Sequence, residues 1–261
     1  MRIVALLCAL YCSQSLAQLP TLSEIELQRP DNLMWPVDNP LHLEIVVEDA
    51  DTLMAHLARY RGVTAVKIGP RRVSLSLSQD LVLDESPQDK HSHESFVIDI
   101  GETSTQSFVS EFTDDRSESI AASDIEVFVN AYIDDMTYIH GFHIASRVAS
   151  DRSGDCTEYA VLTTALGRAV GMPSRLIFGI VILQAHDTIS AFGHAWTEIF
   201  DRGSWRLVDA ALHEVPPSSR FYLPTDELRN EGPAFGFSIA TSVGTFPHKL
   251  TLSGALASRS H

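Results

Sequence analysis

Cysteine is scarce in these 261 residues, with three in all, at positions 8, 12 and 156. Small secreted scaffolds held by several disulfides need many paired cysteines, so that class is excluded. Basic side chains are also few, 19 Lys and Arg against 34 Asp and Glu, a formal charge of -15. Such a surface repels phosphate backbones and anionic lipid, which argues against nucleic-acid and electrostatic membrane partners. After the first residues, the longest apolar run is 176–183. It is far short of the ~20 residues of a spanning helix, so no membrane span is expected in the mature chain. Neither an internal repeat nor a glycine-rich phosphate loop is present.

The N-terminus has its own pattern. Arg2 supplies a positive charge, 3–12 is apolar, and Ser15-Leu16-Ala17 is a small-x-small sequence before Gln18. Residues 1–17 therefore read as a signal peptide, and the mature protein as exported, periplasmic or secreted. Cys8 and Cys12 leave with that peptide, which makes Cys156 solitary. A lone cysteine in an exported chain is an intermolecular bridge, an inert buried thiol or a reactive thiol.

Two regions differ in charge and periodicity. Residues 18–120 carry 8 basic and 19 acidic side chains, and 121–261 carry 10 and 15. A polar stretch at 113–119 suggests a seam. Residues 18–115 read as a small β-rich domain, with strands at 41–47, 63–68, 72–77 and 95–100. A helix over 51–60 is capped by Asp51. His91 and His93 lie in a polar stretch with too few convergent donors for a metal, so a solvated loop is expected there and no metal site. Residues 116–261 form the second domain. Apolar spacing predicts helices over 125–136 and 156–170, the latter stopped by Gly171 and Pro173. Strands follow at 174–183, 193–200 and 204–209. The stretch 221–261 reads as a closing β segment, clearest at 246–252.

Cys156 falls in the first turn of its helix, where unsatisfied N–H groups and the positive end of the dipole favour a thiolate. Its pKa is expected to fall on that account. The Asp155 and Glu158 charges oppose the effect. Its own N–H is a candidate oxyanion donor, and the sequence names no second one. His194 opens the strand that pairs with the strand ending at Asp209. A hairpin turn at Arg202-Gly203 makes paired residue numbers sum to 405 and puts His194 and Asp209 on one face, about 7–8 Å apart at the backbone. A sum of 403 sets them directly opposite, and a sum of 404 separates them. With either odd sum Cys156 is placed as nucleophile, His194 as general base and Asp209 as the residue that orients the imidazole. Under the 405 register Trp196 and Trp205 share that face. They are candidates for walls of a substrate cleft or for plain core. Glu198 is read as a rim residue, and Arg168 and Arg175 as surface or helix-end contacts.

Four blocks carry a resemblance. They are Gly154-Asp155-Cys156-Thr157-Glu158-Tyr159-Ala160, the stretch from Leu166-Gly167-Arg168 to Pro173-Ser174-Arg175, Gly193-His194-Ala195-Trp196-Thr197-Glu198, and Trp205-Arg206-Leu207-Val208-Asp209. In this order they resemble the core of the transglutaminase-like superfamily, over about a third of the chain. The resemblance implies an α+β, papain-like fold, with the cysteine helix packed on an antiparallel sheet. It also implies a Cys-His-Asp triad at Cys156, His194 and Asp209. Family members typically continue from the aspartate with Pro-Thr, where this chain has Ala210-Ala211. The implied activity is thiol-dependent acyl transfer on peptide or glutamine-type amides of a peptide or protein substrate. Water as acceptor makes a peptidase or amidase, and an amine makes a transglutaminase. No cofactor is expected. No EF-hand loop is present, so activity should survive a chelator. The alternative is a non-catalytic binding or assembly module of the cell envelope.

Overall fold

The computed structural model describes residues 21–31, 33–114, 119–137 and 141–253. The expected signal peptide lies outside them. The N-terminal half contributes β1 (Ser23–Gln28), β2 (Leu41–Val46), α1 (Ala50–Leu57), β3 (Tyr60–Gly69), β4 (Arg72–Leu83) and α2 (Thr103–Thr113). Then come α3 (Ala122–Tyr132), β5 (Asp135–Met136), α4 (Ala145–Asp151), β6 (Ser153–Gly154) and α5 (Cys156–Ala169). The chain continues through β7 (Ser174–Ala185), β8 (Thr188–Asp201), β9 (Ser204–Val208), β10 (Arg220–Glu227), α6 (Phe235–Gly244) and β11 (Lys249–Leu252).

The architecture is α+β. Nine strands form one sheet in the order β10-β7-β8-β1-β11-β2-β4-β3, with β9 also paired to β8. Strands from both halves of the chain share this sheet. β1 pairs antiparallel with β8 and parallel with β11, and β11 pairs with β2. The seam expected at 113–119 falls between α2 and α3. α2 lies on its N-terminal side yet packs on α4 and α5. β4 also touches β10, although five strands separate them in the sheet order, so the sheet curls back on itself.

β7 and β8 are the centre. All of β7 from Ser174 to Leu183 is buried, as expected for a continuous apolar run covered on both faces. α5 covers one face. Every α5 residue but Ala169 is buried, so this helix runs through the core rather than presenting a polar side. Its polar groups are satisfied internally. Thr164 and Thr197 hydroxyls meet at 3.0 Å, and the Thr197 hydroxyl donates to the Ala160 carbonyl at 2.8 Å. Gly167 permits the close approach, since a Cβ there would lie 2.1 Å from the Ser174 hydroxyl oxygen. On the opposite face Ile177, Val181, Leu183, Trp196, Leu212 and Tyr222 form a second apolar cluster.

Several local expectations are corrected. The α1 cap is Asp49, whose carboxylate accepts from the Asp51 and Thr52 amides. The run 95–100 forms no strand; it turns back on itself, with Ser95 N–H donating to the Ile98 carbonyl. Helices α2, α4 and α6 were not anticipated, and α6 interrupts the closing β segment.

Candidate functional site

The hairpin linking β8 to β9 turns at Arg202-Gly203, with Asp201 opposite Ser204 and Thr197 opposite Val208. Both turn residues have positive φ, 50° and 83°, the backbone of a two-residue hairpin loop. Register is thus the 405 sum, and His194 and Asp209 fall on one face. Asp209 leaves the ladder and caps a short 3-10 turn (Ala210–Leu212). Its Oδ1 accepts from the Leu212 N–H at 3.2 Å. Its Oδ2 binds His194 Nε2 at 2.8 Å and accepts from the Tyr222 hydroxyl at 2.7 Å. Asp209 is buried, which pushes its carboxyl up. The His194 ring, the Tyr222 hydroxyl and the Arg220 guanidinium outweigh burial and hold it below the usual carboxylate range.

The other imidazole nitrogen is differently placed. His194 is wholly buried, and its Nδ1 has no hydrogen-bond partner. Its ring stacks on Trp196, with centroids 6.3 Å apart, and Trp196 meets Tyr222 edge-on at 5.2 Å. β1 pairs with β8 only as far as Gly193, and β9 begins its pairing at Thr197. Residues 194–196 face the gap between them. The Ala195 N–H in this stretch is the backbone donor that bears on the Cys156 thiol, at the start of α5.

Cys156 itself is completely buried. Burial pushes its thiol well up, Asp155 adds to that, the Ala195 N–H works against it, and Asp209 and Glu158 push it further up. The expected fall in pKa is corrected. At the helix start the dipole competes with desolvation and with three carboxylates, and the latter prevail. Asp155 caps α5 through the Thr157 N–H at 3.0 Å, and Glu158 reaches back to the Asp155 N–H at 3.1 Å. This reciprocal cap fixes the first turn. Glu158 also accepts from the His143 N–H at 3.0 Å, which ties the segment before α4 to the cysteine helix. Burial and Asp155 raise the Glu158 carboxyl to about 7, against the His143 and Asp155 N–H groups. Gly154 is required at the entry: its φ is +158° and a Cβ would lie 2.2 Å from that of Glu158.

Trp196 and Trp205 are each 1% exposed, so both are core. Trp196 belongs to the second apolar cluster. Trp205 donates from Nε1 to the Glu85 carbonyl and lies under the Arg175 guanidinium, 5.2 Å from its ring centroid. Glu198 and both arginines are corrected as well. Arg175 and Glu198 form a buried ion pair, and Arg168 is held by Glu231 and the Ser174 carbonyl. His91 is no solvated loop residue: it is buried, with Nε2 3.2 Å from Glu227. No group of three His, Cys, Asp or Glu suited to a metal exists among the described residues. Tyr222 and Arg220 were missed, because an aromatic and a cation at a strand start carry no motif that ties them to Asp209.

Residues 104–210 match the family model of the transglutaminase-like superfamily. No curated protein matches the chain. Among solved structures, it is similar to a candidate cysteine protease from Cytophaga hutchinsonii, at 12% identity and a TM-score of 0.42, covering 71% of this chain and 80% of that one. It is also similar to the periplasmic domain of TgpA from Pseudomonas aeruginosa, at 12% identity and 0.41, covering 69% and 92%. A third structure, of a TGase, has 12% identity and 0.29, covering 71% and 55%. All four motif blocks of the sequence lie inside the stretch 104–210 that matches the transglutaminase-like superfamily model.

Proposed function

We propose that this chain is an exported cysteine acyltransferase acting on peptide or glutamine-type amides. The supporting observation is the state of His194: Nε2 is tied to Asp209, while Nδ1 is buried without a partner, and the adjacent Ala195 N–H bears on the Cys156 thiol. In this reading the Cys156 thiol passes its proton to His194 Nδ1, and the sulfur attacks the amide carbonyl. The tetrahedral oxyanion collapses as the imidazolium returns the proton to the leaving amine. A thioester remains on Cys156, and water or a primary amine then takes the acyl group. Asp209 holds the tautomer with Nδ1 open and stabilises the imidazolium. Burial of Cys156 means that substrate must displace what covers the sulfur. No helix among the described residues is long and apolar enough to cross a membrane.

The test is incubation of the purified protein with a fluorescent primary amine and an acceptor protein, with fragment analysis alongside. Incorporation without cleavage assigns transamidation, and cleavage without incorporation assigns hydrolysis. Neither product, together with Cys156 inert to iodoacetamide at neutral pH, defeats the enzymatic reading. The complete burial of Cys156 and its raised pKa favour a second reading, a non-catalytic binding or assembly module of the cell envelope. On that reading Cys156→Ala keeps partner affinity.

A further inference from the structure

We infer that Tyr222 is a positioning residue for the His194–Asp209 pair, holding the carboxylate that in turn holds the imidazole. This rests on the acyl-transfer reading above. Tyr222 comes from β10, which joins the sheet through β7 and does not touch β8 in the ladder. Its hydroxyl and His194 Nε2 converge on the same oxygen, Oδ2 of Asp209, at 2.7 and 2.8 Å. An Oδ2 that accepts from two sides has its lone pairs directed along both, so the carboxylate cannot rotate without losing one of them. The Leu212 N–H fixes Oδ1 from the 3-10 turn. Asp209 sits just beyond the end of the β8–β9 ladder, where no strand pairing constrains it. Three donors from three segments replace that constraint.

The phenol is itself rigid. Tyr222 is 5% exposed, packed in the cluster with Trp196, Leu212, Ile177 and Val181. Its ring is 6.4 Å from that of His194. Burial and the Asp209 charge push the Tyr222 hydroxyl well up, so it stays a donor throughout the working pH range. Titratable groups that bear on Asp209 come from several elements: His194 on β8, Arg220 and Tyr222 on β10, Glu126 on α3 and Cys156 on α5. Among them, Tyr222 is the neutral donor. It can orient Asp209 without adding a charge that would compete with the imidazolium.

Tyr222→Phe removes one oxygen and keeps the ring in its cluster. Incorporating 3,5-difluorotyrosine at 222 is the second variant, which keeps a donor of lower pKa. The probe is the rate of Cys156 alkylation by iodoacetamide as a function of pH, with the Asp209 carboxyl titration followed by carbon NMR and folding by thermal melt. For Tyr222→Phe, alkylation near neutral pH should slow roughly tenfold, the worth of about one charge-assisted hydrogen bond. The Asp209 carboxyl should titrate higher, and the difluorotyrosine protein should keep most of the rate. A folded Tyr222→Phe protein with the wild-type alkylation profile and an unmoved Asp209 titration overturns the inference while leaving the reading intact. A wild-type Cys156 that resists alkylation, or one indifferent to His194→Ala, overturns the reading instead.

Discussion

Arg175 on β7 and Glu198 on β8 stand directly opposite in the ladder, and their side chains meet at 2.6 Å inside the protein. The same guanidinium binds Glu227 at 2.9 Å and the Tyr60 hydroxyl at 2.6 Å. One buried cation therefore joins the central strands to β10 and to β3 of the N-terminal half. Arg175→Met strands two buried carboxylates at once. A loss of about 3–5 kcal/mol is expected, the range for breaking one side of a buried pair. Urea denaturation of the variant measures it, and an unchanged midpoint would refute the role of this cation.

A histidine in the same region sets a pH dependence. Burial, with the Arg59 and Arg175 charges, lowers His56 from 6.5 to about 4, and its Nε2 has no hydrogen-bond partner. The unfolded chain takes up this proton before the folded one does. The contribution is fully present above pH 6.5 and is lost as the pH falls toward 4, by about 3 kcal/mol in all. Glu227 is a carboxylate held well below its usual range by His91, Arg175 and Lys90 against burial. Its contribution is present above about pH 4.3 and is lost below that. Urea midpoints taken from pH 7 to 4 should therefore decline, and His56→Leu should flatten the slope. Identical slopes in the two proteins would count against this assignment.

Gly179 faces His194 across β7 and β8. A Cβ there would lie 2.2 Å from the Leu223 carbonyl oxygen and 2.7 Å from Trp196 Cη2. Neither the β10 backbone nor the indole has room to retreat. Gly179→Ala should cost about 1–3 kcal/mol by overpacking and should shift Trp196 against His194. Melting temperature and the Cys156 alkylation rate are expected to fall together. An alkylation rate that holds while stability drops would separate Trp196 from the site.

Cys156→Ser keeps the volume of a wholly buried side chain while removing the nucleophile. Turnover should drop by at least about a thousandfold with the melting temperature little changed. Chelator added to the wild-type protein should leave turnover as it was. Loss of activity in chelator, restored by a divalent cation, would contradict the metal-free mechanism.

Removing residues 18–115 tests the N-terminal half for a role in recruiting substrate or covering the cleft. The deletion takes out β1, which lies between β8 and β11, and strips β11 of β2. Loss of the folded state is expected, rather than a change in substrate preference alone. A soluble, cooperative fragment with altered selection would establish an independent unit instead.

Sequence alone placed Cys156 at a helix start, because Gly171 and Pro173 fix the far end and apolar spacing fills the interval. It also gave β7 its place through an unbroken apolar run, and it limited the β8–β9 hairpin to three registers. Choosing among those registers needed the turn itself, where Arg202 and Gly203 both adopt positive φ. Other features depended on contacts between residues far apart in the chain. The buried partners of Arg168, Arg175, Glu198 and His91 are supplied by other strands, and a charged residue read alone looks like surface. The thiol of Cys156 is raised because its surroundings exclude water, and sequence lists neighbours along the chain but not the solvent they displace. Tyr222 reaches Asp209 because β10, two places from β8 in the sheet, brings its hydroxyl onto the carboxylate, a proximity that only the closed tertiary fold creates.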